Sequence, residues 1–431
     1  MDSELARGSA IEAVTEAGCS GCGGCEDACP SQAVRMTLSA EGFYRPTIDS
    51  QLCNACGLCR LHCPVLSPKS KVGAEHRSPK VFGGWANFNK ERNASASGGI
   101  AFALASKVVA EHGVVAGCAF DDDLLATHRL IETTDGLREL QGSKYLPSKP
   151  NGIYQRVVRE ASRGRKTLFT GTPCQVAALN TFLRPSFREN VITADLVCFG
   201  VPSILPWRKH LAESFEVPVR KVCFRDKSAG WSNPRVRYTL ANGKDIFRMH
   251  AHDAFVAGFR ASAFHQPICH QCPFAKLPRQ GDLTLGDFWG VPSHRRDERG
   301  VSVVVVSTTR GVCAIRDLQE TGSITLFESE IEIATPANPR LIGCGPNRSP
   351  HPRRDEIFKR LLSGERLDSV STVYKCSSRD EKWSRLDGLY RVCKQALRLI
   401  LPNLLSASVK RASSVLLRRA VVDAAGNRKQ R

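Results

Sequence analysis

The chain of 431 residues has no uninterrupted apolar stretch near the roughly 20 residues that cross a bilayer, so no membrane-spanning helix is expected from it. Its opening residues, MDSELARGSAIEAVTEAG, show no basic segment followed by an apolar one, so no secretory signal is visible. The central section has neither a clustered aromatic platform nor a basic stripe, and no nucleic-acid-binding module is legible, which argues against a nucleic-acid partner. Nor is the chain a short, uniformly cysteine-dense scaffold of the secreted disulfide type. The missing signal and the missing membrane span together lead to the expectation of a reducing cytoplasm.

What the chain does have is 18 cysteines, eight of them within the first 63 residues. The net charge of +19 is spread unevenly. Residues 1–65 hold four Lys/Arg against eight Asp/Glu, whereas residues 381–431 hold twelve against three. Such a basic balance suits nucleic acid, an anionic membrane, or an acidic partner or substrate, and charge alone does not choose among them. Composition divides the chain into a cysteine-rich segment (1–66), a polar connector (67–80), a mixed section (81–345) and a basic section (346–431). In the mixed section, short apolar runs alternate with amphipathic stretches. Strands are expected at Val114–Phe120, Thr167–Phe169, Val191–Val197 and Val301–Ser307, the last a β-branched run suited to the inside of a sheet. Helices are expected at Ile100–Glu111, Gln175–Phe182 and Pro206–Phe215.

The first cysteine group is Cys19, Cys22, Cys25 and Cys29, followed by Pro30; the second is Cys53, Cys56, Cys59 and Cys63, followed by Pro64. Both follow the Cys-x-x-Cys-x-x-Cys-x-x-x-Cys-Pro run of bacterial ferredoxins, in which a tight loop aims three thiolates at one cubane and the fourth ligand comes from the other half. Two 4Fe–4S clusters are therefore expected, on Cys19/Cys22/Cys25 with Cys63 and on Cys53/Cys56/Cys59 with Cys29. Gly21, Gly23, Gly24 and Gly57 let backbone N–H groups approach the clusters. A pair of zinc sites is the alternative, and two complete prolyl-terminated runs argue against it. His62, inside the second run, is taken as solvated filler.

Further along, Ser95-Ala96-Ser97-Gly98-Gly99 precedes the helix expected at Ile100, where hydroxyls, glycines and the helix dipole would form a phosphate cradle or a plain N-cap. Gln141-Gly142-Ser143-Lys144-Tyr145 combines a turn, a hydroxyl, a cation and a ring. Thr170-Gly171-Thr172-Pro173-Cys174-Gln175 links a strand to a helix, and Asp195 to Ser203 closes another strand with Cys198 in its loop. Cys269 and Cys272 precede Gly281-Asp282-Leu283-Thr284-Leu285-Gly286-Asp287-Phe288-Trp289-Gly290.

Taken in order, these six motifs resemble the coenzyme F420 hydrogenase/dehydrogenase beta-subunit family over roughly Val81 to Pro292. With the ferredoxin segment, the resemblance spans roughly two thirds of the chain. It implies a flavin- and iron–sulfur-dependent oxidoreductase that binds FAD and passes a hydride between the flavin and a substrate such as the deazaflavin coenzyme. Other members of the wider family reduce chlorophyll-type rings or are associated with polysaccharide gene clusters. Carried over residue by residue, Ser95, Ser97, Gly98, Gly99, Gly142, Ser143, Lys144, Tyr145, Thr170, Gly171 and Thr172 would line the flavin, with Lys144 and Tyr145 catalytic. Lys144 would neutralise reduced flavin or orient an anionic substrate; alone it reads equally as a surface lysine in a turn. Relatives often have His where this chain has Phe199, which leaves the proton chemistry at that position open. Cys174, Cys198, Cys269 and Cys272 all fall in family motifs and are expected to hold a third 4Fe–4S cluster, against the plainer reading of buried apolar cysteines. Cys118, Cys223, Cys313, Cys344, Cys376 and Cys393 are taken as structural.

The expected fold class is α/β (mixed α+β): a ferredoxin-type two-cluster module, an α/β flavin-binding domain and a helical, basic C-terminal region. From Leu386 to Ala420, leucines and valines alternate with arginines and lysines around Pro402, as in two amphipathic helices. These would lie on the inner face of an anionic membrane or form a cap with a solvated cationic face. The function expected is electron transfer between a hydride donor or acceptor and the clusters by way of FAD, with a redox partner protein or a larger oxidoreductase complex as partner. The alternatives are a reductase of a cell-surface polysaccharide or lipid-linked intermediate, and a non-catalytic electron-transfer subunit.

Overall fold

The four expected strands all fall in one eight-stranded sheet, with four that the sequence reading did not name. The computed structural model describes residues 18–67, 79–344 and 349–375. In chain order its strands are β1 (Val34–Leu38), β2 (Tyr44–Ile48), β3 (Lys80–Ala86), β4 (Val114–Phe120), β5 (Ala126–Ile131), β6 (Thr167–Gly171), β7 (Val191–Leu196), β8 (Val219–Asp226), β9 (Arg235–Leu240), β10 (Asp245–Met249), β11 (Leu283–Asp287), β12 (Ser302–Val306) and β13 (Ile324–Ser329). The large sheet runs β13-β3-β12-β11-β7-β6-β4-β5. Its centre, β11-β7-β6-β4, is parallel, and both margins are antiparallel. β12 is the expected SVVVV run, with all five residues buried between β3 and β11. A strand covered on both faces reads as a continuous apolar run because neither face meets water.

Helices cover both faces. Ile100–Ala110 and Thr309–Glu320 enclose a core of Leu104, Val108, Val115, Leu168, Val304 and Leu318. On the other face, Ile153–Ser162 and Pro173–Phe182 close a core of Tyr154, Val157, Phe169, Val176, Leu179 and Val191. The parallel strands therefore open their carboxyl ends onto one crevice, the usual ligand position in such sheets. β8, β9 and β10 form a separate three-stranded antiparallel sheet, packed through Phe224 onto Trp207 and Phe255 and through Tyr238 onto His210. Sequence reasoning did not anticipate this small sheet.

The cysteine-rich segment folds around the β1–β2 hairpin, with Val34 opposite Ile48. It is fixed to the α/β section at several points. The Asp27 carboxylate accepts the N–H groups of Gly152 and Tyr154 at 3.0 and 2.9 Å. It thereby caps the helix Ile153–Ser162, whose own N-cap glycine has no side chain to do so. The Tyr154 hydroxyl donates to the Cys22 carbonyl at 2.7 Å, and Gly23 sits so close to Pro150 that a Cβ there would approach it to 2.7 Å. His62 is not solvated filler: its ring stacks on Phe182 at 4.1 Å and hydrogen-bonds the Thr181 hydroxyl at 3.0 Å. The described residues up to Ser371 form one unit, which includes the helices Arg354–Leu362 and Leu367–Ser371. Part of the section beginning at 346 thus packs with the main body, through Phe358, Leu361 and Val370. The basic helices expected at 386–420, and most of the connector 67–80, lie outside the described residues.

Candidate functional site

Three groups of thiols assemble from segments far apart in sequence. Cys63 stands with Cys19, Cys22 and Cys25: burial pushes the Cys22 thiol up to about 12, and the charges of Cys63 and Cys19 add to the rise. Cys19 and Cys25 are raised in the same way. In the second group burial raises Cys59, with contributions from Cys56, Cys29 and Cys53. The third group joins the β6, β7 and 267–272 loops. Burial raises Cys174, Cys198 and Cys269, the last to about 12, and each also feels Cys272. Among the described residues no three His, Cys, Asp or Glu side chains converge on a single ion.

The surroundings suit clustered negative charge. The Gly21 N–H donates to Cys19 Sγ at 3.4 Å, the Ala33 N–H to Cys29 Sγ at 3.2 Å and the Val201 N–H to Cys269 Sγ at 3.4 Å. Buried Arg45, whose Nε and Nη2 have no hydrogen-bond partner, lowers the Cys19 thiol against the dominant effect of burial. In the third group, buried Arg340 donates from Nε to the Cys198 carbonyl (2.9 Å) and from Nη1 to the Cys269 carbonyl (3.0 Å). Thiols this buried stay protonated unless a cation compensates them, and iron supplies that charge. The donor sets therefore fit clusters.

Asp195 and Asp282, both from the motifs, have structural roles. Asp195 pairs with Arg279 at 2.9 Å, both fully buried, and accepts the N–H groups of Gln280 and Gly281. Asp282 takes Arg188 and Arg310 together with Thr193 and Thr308. Each carboxylate locks a loop that carries cavity or cysteine residues.

A cavity of about 970 Å³ occupies the crevice. Ser95, Ser97, Gly99, Gly142, Ser143, Lys144, Tyr145, Thr170, Gly171 and Thr172 all line it. Gly98 does not: a Cβ there would lie 2.4 Å from the Gly84 carbonyl, so its glycine serves close packing against β3. The two candidate phosphate cradles differ. Thr172 and Gln175 form a capping box that closes the helix Pro173–Phe182 on itself. Gly99 (φ +89°) opens the helix Ile100–Ala110 without any side-chain cap, leaving first-turn N–H groups at the cavity wall. Gln141 ties the motifs together by donating to the Glu91 carbonyl (3.2 Å) and the Ser95 hydroxyl (3.4 Å). A Cβ on Gly142 would meet nothing within 4 Å, so the backbone there is open to a ligand.

Lys144 Nζ donates to the carbonyls of Glu139 (2.9 Å) and Gln141 (2.8 Å), and burial lowers it to about 8. Tyr145 is sandwiched between Phe224 and Phe259 at 5.1 and 4.6 Å, and burial raises its hydroxyl, keeping it a donor. Phe199 lines the cavity and meets His265 edge-on at 5.6 Å. Sequence reasoning missed several contributors. Cys118, taken as structural, lines the cavity, as do Arg225 from β8 and His250, just after β10. Cys344 approaches the Cys272 carbonyl at 4.0 Å. No local pattern marks these residues, because only the tertiary fold brings them to the crevice.

Residues 164–331 match the family described as the C terminus of the coenzyme F420 hydrogenase/dehydrogenase beta subunit, and residues 18–66 match the 4Fe-4S dicluster domain. Ferredoxin-type protein NapF of Escherichia coli K12 is 43% identical over 55 residues, covering 13% of this chain and 31% of that protein. Ferredoxin-type protein NapF of Haemophilus influenzae is 41% identical over 44 residues, covering 10% of this chain and 25% of that protein. The chain thus spans under a third of these curated relatives. A structure of the F420-reducing [NiFe] hydrogenase complex from Methanosarcina barkeri aligns with 68% of this chain and 90% of its own, at 17% identity and a TM-score of 0.43. Among the described residues no helix is long and apolar enough to cross a membrane.

Proposed function

We propose that this chain, an iron–sulfur protein of the oxidoreductase electron-transfer type related to the beta subunit of coenzyme F420 hydrogenase/dehydrogenase, works as a flavin-dependent oxidoreductase carrying three 4Fe–4S clusters. The observation that carries the reading is the shared cavity: the loops expected to hold flavin line it together with Cys22, Cys174 and Cys198. A bound flavin accepts two electrons as a hydride and releases them singly, which is what couples hydride chemistry to one-electron clusters. A cavity of this size, about 970 Å³, also favours an enzyme over a non-catalytic electron carrier.

The chain's own residues have definable tasks. The uncapped N-terminus of Ile100–Ala110 and the Ser95–Gly99 loop would receive the cofactor's phosphates. Gly142 admits the ligand to the backbone. Lys144 holds a proton below about pH 8 and offsets negative charge gained on reduction. Tyr145 presents a hydroxyl fixed by two flanking rings, and the aromatic wall around it excludes water. Arg225 and His250 face the same space and suit an anionic hydride donor or acceptor, of which the deazaflavin coenzyme is one candidate. A larger oxidoreductase complex in a reducing cytoplasm is the setting this reading favours.

The test uses anaerobically purified protein. One flavin and about twelve irons per chain, at four per cubane, with bleaching of the visible spectrum on adding reduced deazaflavin, would support the whole reading. About eight irons and no flavin would leave a ferredoxin module fused to a domain of another function.

A further inference from the structure

We propose that Arg45 is a potential-setting residue for the cluster on Cys19, Cys22, Cys25 and Cys63: its guanidinium puts a fixed positive charge beside Cys19 and stabilises the reduced form of this buried cluster. The proposal needs only the clusters of the cysteine-rich segment, which the match over residues 18–66 supports. It needs neither the flavin nor the third cluster.

Arg45 lies in β2 opposite Thr37 and is only 9% exposed. An arginine buried this far ordinarily ion-pairs or commits its N–H groups to hydrogen bonds. Here Nη1 donates to the Tyr44 carbonyl at 2.9 Å, whereas Nε and Nη2 have no hydrogen-bond partner among the described residues. The guanidinium carbon stands 5.4 Å from the centre of the Phe43 ring, and Phe43 meets Phe358 at 5.9 Å. These rings fix the position of the guanidinium but carry no net charge to balance it. The ionisable side chain that Arg45 does reach is Cys19, on which it acts both electrostatically and as a side-chain donor. Cys19 is itself held in place: the Gln266 side-chain amide donates to its carbonyl at 2.9 Å, and the Gly21 N–H donates to its sulfur at 3.4 Å.

The charge sits where water is scarce. Cys22, Cys25 and Cys63 are buried, the last two in an apolar cluster with Val34, Met36 and Tyr44. Reduction adds one electron and no proton, and an apolar surround opposes the added negative charge. Net charge, hydrogen bonds to the sulfurs and solvent exposure set the potential of such clusters. With exposure small, a neighbouring cation is the lever that favours the electron. The second cysteine group differs: Cys56 is exposed, and Cys29, Cys53 and Cys59 are half-buried. Ser31, backbone N–H groups and neighbouring thiols act on Cys29 and Cys59, with no cationic side chain among them. Water there takes the part that Arg45 takes in the buried group.

The test is a potentiometric titration with dithionite, followed by electron paramagnetic resonance on the anaerobically purified, iron-replete full chain. Steps that vanish in Cys56→Ser/Cys59→Ser or in Cys272→Ser belong to the other groups, so the iron–sulfur step common to both variants is that of the Cys19 group. Arg45→Gln keeps a donor for the Tyr44 carbonyl and removes the charge. It should make this cluster at least tenfold harder to reduce, about 59 mV lower for one electron, with the other steps unmoved. Arg45→Lys keeps the charge and should restore most of the shift. Because the charge is buried, the difference between wild type and Arg45→Gln should persist at high salt, which screens exposed charges; a difference that closes would overturn the buried placement. An unmoved step in Arg45→Gln, an equal shift in Arg45→Gln and Arg45→Lys, or an equal shift of every cluster would overturn the proposal. If Arg45→Gln does not retain the cluster, iron content decides. Loss of about four irons per chain from Arg45→Gln but not from Arg45→Lys would support the role of the charge, and loss from both would overturn it.

Discussion

Lys227 reaches from the end of β8 to the loop that precedes the cavity helix, and its Nζ donates to the carbonyls of Arg92 (2.7 Å), Ser97 (2.8 Å) and Arg299 (2.6 Å). Lys227→Met keeps most of the side-chain volume and removes all three bonds. A net contribution of about 1 kcal/mol for each, with non-additivity, gives a loss of about 2–4 kcal/mol. That is a large part of the ordinary stability margin of about 5–15 kcal/mol. If flavin binding must then reorder the Ser95–Gly99 loop, affinity falls by up to the same energy, about thirtyfold to several hundredfold. The assay is flavin titration of the apoprotein beside denaturant unfolding. Loss of stability with unaltered flavin affinity would refute the link between this lysine and the cofactor loop.

The pH dependence carries a second check on the same residue. Burial, together with the nearby Arg92 charge, lowers Lys227 from the ordinary 10.5 to about 8. Between those values the unfolded chain holds a proton that the folded chain has released, so this group adds stability as pH rises through that window. The stability gap between wild type and Lys227→Met should therefore widen from pH 8 to 10.5. A narrowing gap would contradict the depressed value.

Three further outcomes follow from the site. Cys272→Ser should lower iron from about twelve to about eight per chain while the ferredoxin signals persist; unchanged iron would sink the third cluster. Lys144, held at about 8 by burial, should give an activity limb that falls as pH rises through that value. Lys144→Met should lower the rate by about a hundredfold, as loss of one preorganised charge does, and abolish the limb; a retained limb would assign it elsewhere. Asp195→Ala leaves Arg279 buried and unpaired, so unfolding in denaturant should show a loss of about 3–5 kcal/mol; a change below 1 kcal/mol would mean that water reaches the guanidinium.

The amino-acid sequence by itself determined the parts whose chemistry is local. Four ligands within eleven residues announce an iron–sulfur loop, because thiolate spacing along a tight turn is a property of the segment alone. The run at Val301–Ser307 and the helix beginning at Ile100 were legible for the same reason: burial on two faces, or on one face of a helix, leaves a periodic imprint. The ordered motifs likewise carried the family relationship that the matches over 18–66 and 164–331 bear out.

Only the tertiary structure decided how these parts meet. It showed Gly98 to be a packing glycine away from the cavity wall, and Thr172 to cap its own helix while it lines the cavity. It also moved His62 from solvent to the face of Phe182, and Cys118 from the structural set to the cavity wall. Asp27 caps a helix 125 residues away, and Gln266 bonds Cys19 across 247. Such contacts leave no periodicity or spacing in the chain, because they depend on where the crossovers of the sheet return each loop. The crevice, its charge and the neighbouring cysteine groups are products of that folding.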